Sequence, residues 1–258
     1  MNRIDQTFER LRLQKRKAFI PYVCAGDPDF PTTVQLSLGL AQAGSDILEL
    51  GVAFSDPLAD GIVNQLAAQR ALAAGSTVRC VLDCVGQIRN ASEIPIVLYT
   101  YLNPIIQFGF EQFHKAAATA GVDGLLILDL PPEEETGPLP DRLPHIRLIA
   151  PTTSAERIAQ IARNAQGFLY YVSREGVTGV RDSVAETLAA QIEKIRRVSD
   201  LPIAVGFGIA TPDQAKTVAQ YADAVVVGSA IVDLIAKDGR ESVASVTEFA
   251  RQIVKAIN

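Results

Sequence analysis

The chain has 258 residues, 48% of them hydrophobic, with a formal net charge of -5 and an isoelectric point near 5.2. This length suffices for one large hydrophobic core or for two smaller domains. The acidic balance argues against nucleic acid and anionic membranes as partners, because binding to either depends on clustered basic groups that displace counterions. We therefore expect a small-molecule or protein partner.

The N-terminal segment contains basic residues but lacks the apolar core of a signal peptide. Ile4, Phe8 and Leu11 recur at helical spacing, with Asp5 and Glu9 between them. This pattern predicts a short amphipathic helix that caps the fold. Since no apolar run reaches the length needed to span a bilayer, we expect an unexported, cytoplasmic protein.

Eight short apolar runs rich in valine, isoleucine and leucine follow along the chain. Their hydrophobicity is continuous rather than alternating, which is typical of parallel strands covered by helices. Alanine-rich helical segments fill the intervals, so the sequence predicts an α/β fold. The runs are AFIPYVC from Ala18, DILEL from Asp46, PIVLYTY from Pro95, GLLILDL from Gly124, IRLIAP from Ile146, GFLYYVS from Gly167, PIAVGFG from Pro202 and AVVVGS from Ala224.

A weak internal repeat favours a closed barrel. AQAGSDILEL, ATAGVDGLLIL and AQYADAVVV each lead from a helix end through a link containing aspartate into a strand. Gly44 and Gly121 are natural helix-ending residues in the first two. Eight such units close more naturally into a (β/α)8 TIM barrel than into an open sheet, and no GxGxxG follows an early strand. We predict one domain over residues 1–258, with an extra N-terminal helix and long loops after strands 2 and 6.

Cysteine and histidine usage does not indicate a disulfide framework or a zinc site. Cys24, Cys80 and Cys84 make an odd number without a CxxC motif, so we expect reduced thiols, the last two as small core residues on one helix. His114 and His145 have no partner at ligand spacing.

The chemistry of such a barrel lies on the loops that follow the C-terminal ends of its strands. Glu49 stands there within an apolar run, where burial would raise its pKa towards the range useful for proton transfer. Asp60 ends the following loop and could return over the barrel mouth. No lysine or histidine occupies a strand end, so acid–base work falls to carboxylates. The structural alternative makes Glu49 a hydrogen-bonded buried acid and Asp56 and Asp60 turn residues.

Glycines near the last three strand ends indicate a phosphate site. Gly179, Gly208 and Gly228 allow close approach of the backbone to an anion. A helix beginning near Ser229 would point N–H groups at the same place, where barrels often hold phosphate. Each glycine alone could serve a tight turn, whereas three on adjacent strand ends favour phosphate binding.

Seven motifs in this order resemble the tryptophan synthase alpha chain family and extend along nearly the whole chain. They are PYVCAGDP, LELGVAFSDPLADG, YLNPI, DLPPEE, YYVSREGVTG, VGFGI and VVGSAIV. The resemblance implies a TIM barrel that cleaves indole-3-glycerol phosphate by a retro-aldol reaction to indole and glyceraldehyde 3-phosphate. It also implies that this chain needs no metal and no organic cofactor.

The resemblance also implies roles for individual residues. Glu49 matches the general acid–base that protonates indole C3 and takes the proton from the adjacent side-chain hydroxyl. Asp60 matches the carboxylate that holds the indole N–H. Tyr170 matches a residue near the catalytic glutamate, and Thr178 matches the loop-6 threonine that helps to close the site on Asp60. The matches to the phosphate cradle are Gly179, Gly208, Gly228 and Ser229.

Two aromatic residues are further candidates for substrate binding. Tyr22 and Tyr99 are expected to form walls around the indole ring, with aromatic core packing as the alternative. Ala53 and Ile62 stand where the resemblance leads us to expect prolines flanking loop 2, so its rigidity and partner contact are expected to differ.

The resemblance implies an alpha2beta2 complex in which indole passes to a beta chain that carries pyridoxal phosphate. The expected docking residues are Asp56, Pro57, Asn103 and Pro131. Two other interpretations stay open at this point. One is a different phosphate-binding barrel enzyme in which Glu49, Asp60 and Asp129 hold a divalent metal. The other is a chain that activates a partner without meaningful activity of its own.

Overall fold

A computed structural model describes residues 2–134, 143–173, 181–206 and 208–258, with only the backbone of residues 181–186. The described residues contain eight strands, one at each of the predicted runs, and only β2 extends past its run, by one residue to Gly51. They are β1 (Ala18–Cys24), β2 (Leu48–Gly51), β3 (Ile96–Thr100), β4 (Gly124–Ile127), β5 (Arg147–Ile149), β6 (Leu169–Val172), β7 (Ile203–Gly206) and β8 (Ala224–Val227).

All strand pairs are parallel, in the order β4-β3-β2-β1-β8-β7-β6-β5. The outermost two, β4 and β5, are joined by a bridge between Leu125 and His145. There the Leu125 N–H donates to the Pro144 carbonyl at 2.8 Å, and the Ile146 N–H donates to the Leu125 carbonyl at 2.9 Å. These bonds complete the ring, and the predicted TIM barrel is confirmed.

One helix precedes β1, and the others follow the strands and cover the outside of the barrel. The helices are α1 (Arg3–Gln14), α2 (Phe30–Gln42), α3 (Ile62–Ala73), α4 (Val78–Arg89), α5 (Leu102–Phe108), α6 (Phe110–Ala120), α7 (Ala155–Arg163), α8 (Arg181–Arg196), α9 (Pro212–Ala219), α10 (Ser229–Asp238) and α11 (Ser242–Ile257), with short 3₁₀ helices at Pro132–Glu134 and Gly239–Glu241. In the described part of the chain, no helix is long and apolar enough to cross a membrane.

Alternate strand residues face two different apolar regions. Outward-facing residues such as Phe19 and Leu48 belong to the core shared with the helices. Inward-facing residues such as Ile20, Val97 and Leu126 fill the barrel interior. Because both faces are buried, the runs are apolar throughout, as the sequence indicated.

Helix α1 closes the N-terminal end of the barrel. Ile4, Phe8 and Leu11 are buried in the interior core, and the Phe8 ring lies 5.7 Å from that of Phe168. The predicted N-terminal cap is therefore confirmed. Its position leaves the C-terminal ends of the strands as the accessible end of the barrel.

The aspartates of the internal repeat share one structural role. Each precedes one strand and accepts a backbone N–H from the neighbouring strand, at 3.1, 2.8 and 2.9 Å for the pairs Asp46–Phe19, Asp123–Ile96 and Asp223–Ile203. Each also forms an ion pair with arginine. The repeated aspartate thus fixes neighbouring strands at the N-terminal end, away from the expected site.

The cysteines and histidines refine the sequence expectations. All three cysteines are free, but only Cys24 and Cys84 are buried, whereas Cys80 is half-buried at the start of α4. His114 and His145 are buried and stacked with their ring centroids 5.8 Å apart. Their distance in sequence gave no sign of this contact, which packs α6 against the junction of β4 and β5.

Candidate active site

Glu49 lies near the end of β2 and is 2% exposed. Its Oε1 atom has no hydrogen-bond partner among the described residues. Burial raises the pKa of Glu49 to about 8, with a further contribution from the charge of Asp60. Since buried structural carboxylates are normally hydrogen-bonded, these observations favour a chemical role over the structural alternative.

Asp60 returns over the barrel at the end of the loop between β2 and α3. The hydroxyls of Tyr99 and Tyr101 donate to its Oδ1 and Oδ2 atoms, each at 2.8 Å. Burial raises the pKa of Asp60, and the hydrogen bonds from Tyr101, Tyr99 and Asn64 oppose that increase. Asp60 therefore lies in a turn, as one interpretation of the sequence had it, and its partly buried carboxylate is also fixed by two tyrosine hydroxyls.

Asp56 differs from Asp60 although both lie in the same loop. Asp56 is exposed, and its carboxylate accepts the hydroxyl of the neighbouring Ser55 at 2.5 Å. The turn interpretation fits this residue. The two aspartates that looked alike in the sequence thus have different surroundings.

Two glycines make room for the tyrosines inside the barrel. A Cβ at Gly51 would meet the Tyr22 ring, with Cζ at 2.8 Å, and a Cβ at Gly206 would meet the Tyr170 ring, also with Cζ at 2.8 Å. The sequence analysis did not single out either glycine. Each ends its strand beside a strand that carries a tyrosine, which is the signal that could have identified both.

A cavity of about 270 Å³ opens at the C-terminal end of the barrel. Its wall includes Ile62, Val63 and Asn64 from the start of α3. It also brings together these predicted residues: Tyr22, Glu49, Tyr99, Tyr170, Gly208, Gly228 and Ser229. Tyr22 and Tyr99 line the cavity, and their rings contact each other edge to face with centroids 5.1 Å apart. The structure therefore fits both the wall interpretation and the aromatic-packing interpretation.

The glycine-rich side of the cavity lies beside the beginning of α10. That helix starts at Ser229, as predicted. Its N-cap residue is Gly228, which has no side chain to accept a hydrogen bond from the first N–H groups of the helix. Gly208 has a φ of +73°, a conformation that favours glycine. Uncapped N–H groups at a helix start suit an anion. The predicted residues Thr178 and Gly179 lie outside the described residues.

The predicted docking residues follow three adjacent strands. They are Asp56 and Pro57 after β2, Asn103 in α5 after β3, and Pro131 after β4. Leu58 in the loop after β2, Ile62 at the start of α3 and Ile106 in α5 are exposed at 91%, 66% and 54%. One end of the barrel thus presents both the cavity and an apolar surface.

Asp129 does not belong to the acid pair. Its Oδ1 accepts the Leu102 N–H at 2.7 Å and so caps α5. Within the described ranges, no group of three or more His, Cys, Asp or Glu residues could hold a metal ion. The hypothesis that Glu49, Asp60 and Asp129 share a metal therefore lacks the required arrangement.

Tyr101 is a site residue that the sequence analysis missed. It is buried, and its hydroxyl accepts the Ala59 N–H at 2.9 Å while it donates to Asp60. Tyr101 therefore holds both the backbone and the carboxylate of the loop after β2. The alternation in YTY, which places Tyr99 and Tyr101 two residues apart, was the available signal.

The raised pKa of Glu49 predicts a pH-dependent stability. The unfolded chain loses this proton near its ordinary pKa of 4.5, whereas the folded chain keeps it up to about 8. Stability should therefore fall as pH rises through this interval, because the folded state binds more protons. Glu49→Gln removes that loss, so it should stabilise the chain relative to wild type by on the order of 3 kcal/mol more at pH 8 than at pH 5.

Urea unfolding of both proteins at the two pH values measures this difference. Asp83→Asn, which changes an exposed carboxylate on α4, serves as the control and should track wild type. Parallel pH dependences for Glu49→Gln and wild type would contradict the raised pKa.

A closed parallel barrel with a cavity and two carboxylates at the C-terminal ends of its strands has the arrangement of a TIM-barrel enzyme. The family model described as tryptophan synthase alpha chain matches residues 8–258. The chain therefore belongs to the tryptophan synthase alpha chain family.

Relatives and solved structures agree with this assignment. The tryptophan synthase alpha chain of Opitutus terrae is 52% identical over 239 residues, covering 91% of this chain and 90% of that relative. The crystal structure of tryptophan synthase subunit alpha from Legionella pneumophila has a TM-score of 0.92 and 41% identity, covering 100% and 98% of the two chains. A structure of the alpha2beta2 complex of tryptophan synthase from Pyrococcus furiosus has a TM-score of 0.83 and 34% identity, covering 93% and 99%.

Proposed function

We propose that this chain cleaves indole-3-glycerol phosphate to indole and glyceraldehyde 3-phosphate, as a carbon–carbon lyase of L-tryptophan biosynthesis. The central observation is the pair formed by Glu49, buried with an unpartnered oxygen, and Asp60, held by two tyrosine hydroxyls. Both groups belong to the end of the barrel where such enzymes act.

Glu49 acts as both acid and base. Its pKa of about 8 leaves it protonated at neutral pH, so it donates a proton to C3 of the indole ring. The resulting carboxylate then takes the proton from the side-chain hydroxyl next to C3. The oxygen electrons form the aldehyde, the carbon–carbon bond breaks, and its electron pair restores the indole ring. Glu49 ends the cycle protonated, as it began.

Asp60 stabilises the ring while it carries positive charge. Its carboxylate accepts the indole N–H and lies opposite the charge that develops when C3 is protonated. The tyrosine hydroxyls fix its orientation before the substrate binds, so little reorganisation accompanies the reaction. Tyr22, Tyr99 and Tyr170 form the surrounding wall.

The phosphate of the substrate binds at the glycine-rich side of the cavity. Gly208, Gly228 and Ser229 supply close backbone approach and the N–H groups that begin α10. Thr178 and Gly179 are proposed to complete the enclosure on the ground of the family resemblance.

A beta chain docks on the exposed loops after β2, β3 and β4. Leu58, Ile62 and Ile106 supply apolar area, and Asp56 and Asn103 supply polar contacts at its rim. The product leaves the cavity beside this surface, so indole passes directly to the partner of an alpha2beta2 assembly. Pyridoxal phosphate belongs to that partner, and this chain works without metal or organic cofactor. Three free cysteines suit a reducing cytoplasm.

Release of indole from indole-3-glycerol phosphate tests the proposal. The purified chain is assayed with and without EDTA, alone and with a tryptophan synthase beta chain. Indole release that the partner stimulates is the expected result. Loss of activity on chelation would support a metal-dependent barrel instead. Stimulation of the beta chain without any cleavage would support the activator alternative.

A further inference from the structure

We propose that Tyr99 is a positioning residue for Asp60, whose hydroxyl keeps the carboxylate turned towards the indole N–H. The inference rests on the proposed function, and it gives Tyr99 a role beyond that of an aromatic wall. It follows from the contacts around Asp60, the fixed position of the Tyr99 ring and the difference between Tyr99 and Tyr101.

The donors around Asp60 leave little rotational freedom. An ionised carboxylate offers about four acceptor positions. Tyr99 occupies one on Oδ1 and Tyr101 one on Oδ2, each at 2.8 Å, and the Asn64 side chain supplies a third hydrogen bond. About one position is then left for a substrate N–H.

The Tyr99 ring is itself held in place. The residue lies near the C-terminal end of β3, and its ring meets that of Tyr22 at 5.1 Å with an interplanar angle of 68°. This edge-to-face contact is a favoured aromatic geometry. The Tyr99 hydroxyl is therefore a hydrogen-bond donor on a strand, and the Tyr22 ring supports it. It fixes the position of the Asp60 carboxylate more firmly than the loop backbone of Asp60 does.

Tyr99 and Tyr101 differ in what else they hold. The Tyr101 hydroxyl also accepts the Ala59 N–H at 2.9 Å, so its removal would release loop backbone as well as Asp60. The described partner of the Tyr99 hydroxyl is Asp60. A change confined to that hydroxyl therefore tests the carboxylate without loosening the loop.

The hydroxyl also affects the charge of the pair. Its hydrogen bond lowers the pKa of Asp60 against the effect of burial, and the charge of Asp60 raises the pKa of Glu49. The titratable groups that face Asp60 are Tyr22 and Cys24 on β1, Glu49 on β2, Tyr99 and Tyr101 on or beside β3, and Tyr170 on β6. Of these, Tyr99 and Tyr101 donate hydrogen bonds to the Asp60 carboxylate, and Glu49 has its pKa raised by the charge of Asp60.

The test compares Tyr99→Phe with Tyr221→Phe. Tyr221 is a half-buried tyrosine between α9 and β8 that packs against the outer core, so its substitution makes the same chemical change away from the site. In Tyr99→Phe we expect kcat to fall about tenfold, the size of one hydrogen bond to a charged group. The acid limb of the kcat profile should move to higher pH, because Asp60 loses a donor that favours its ionised form. Tyr221→Phe should match wild type in both measurements.

A carboxyl ¹³C NMR titration gives a second readout that does not depend on turnover. The Asp60 resonance is assigned by its loss in Asp60→Asn, and in Tyr99→Phe it should titrate at higher pH than in wild type. An unchanged Asp60 titration together with an unchanged kcat profile would overturn the positioning role. A wild-type chain that releases no indole would instead overturn the proposed function, while the NMR titration still decides the role of Tyr99.

Discussion

Glu49→Gln is expected to lower kcat for indole release by at least about 1000-fold, within the range attributed to a positioned general acid–base. Glutamine fills the same space but can neither donate the proton to C3 nor accept one from the hydroxyl. Substrate affinity should stay within about threefold of wild type, because the contribution of Glu49 arises in the transition state. Single-turnover assays and equilibrium binding measure the two effects separately.

Asp46→Asn is a matched control for this experiment. Asp46 is also a buried carboxylate whose pKa burial raises, but it precedes β2 at the opposite end of the strand. Its substitution should alter stability, since it accepts the Phe19 N–H, and leave kcat within about threefold of wild type. Substantial turnover by Glu49→Gln would require another proton donor in the cavity and would remove Glu49 from the mechanism.

The strands and the barrel could be predicted because burial on both faces leaves a clear trace in the sequence. Each strand of the barrel has apolar residues facing both the helices and the interior, so runs such as AFIPYVC at Ala18 are uninterrupted. The repeated aspartates could also be recognised in the sequence, but their structural role could not be predicted. That role depends on which strands are neighbours, because Asp46 before β2 accepts the N–H of Phe19 on β1.

The candidate site could be predicted in part, at positions where a residue breaks the local pattern. Glu49 was conspicuous because burying a carboxylate in an apolar strand costs free energy unless it is paired, so its presence indicates a role other than stability. The role of Asp60 depends on how its loop folds back, and the hydroxyls of Tyr99 and Tyr101 reach it from another strand end. The spacing in YTY places the two tyrosines on the same side of the chain but does not show that Asp60 reaches them. The choice between turn residue and held carboxylate therefore stayed open for Asp60 until its partners were known.

Steric requirements were the least visible feature. Gly51 and Gly206 are needed because tyrosine rings on neighbouring strands lie over them, which depends on strand register. Thr178 was assigned from the family resemblance alone. The residues that define the shape of the cavity are thus harder to predict than those that supply its charge.

Asp60→Asn is expected to lower kcat about 100-fold, at the lower end of what loss of one transition-state electrostatic contact costs. Asparagine keeps an oxygen that can accept the indole N–H but removes the charge that stabilises the protonated ring. Because the charge of Asp60 raises the pKa of Glu49, the substitution should also move the alkaline limb of kcat/KM to lower pH. Glu49 would then lose its proton, and hence its acid function, earlier in the titration.

The kcat of Asp60→Asn and the pH dependence of its kcat/KM together distinguish the effect of the Asp60 charge from that of its hydrogen bond to the indole N–H. Asp83→Asn, on the exposed face of α4, removes the same charge far from the cavity and should leave both unchanged. A lower kcat with an unmoved alkaline limb would mean that Asp60 acts on the indole ring without affecting Glu49. An unchanged kcat would mean that the charge is not used in the transition state, and the acid–base chemistry would then rest on Glu49 without the help of a second carboxylate.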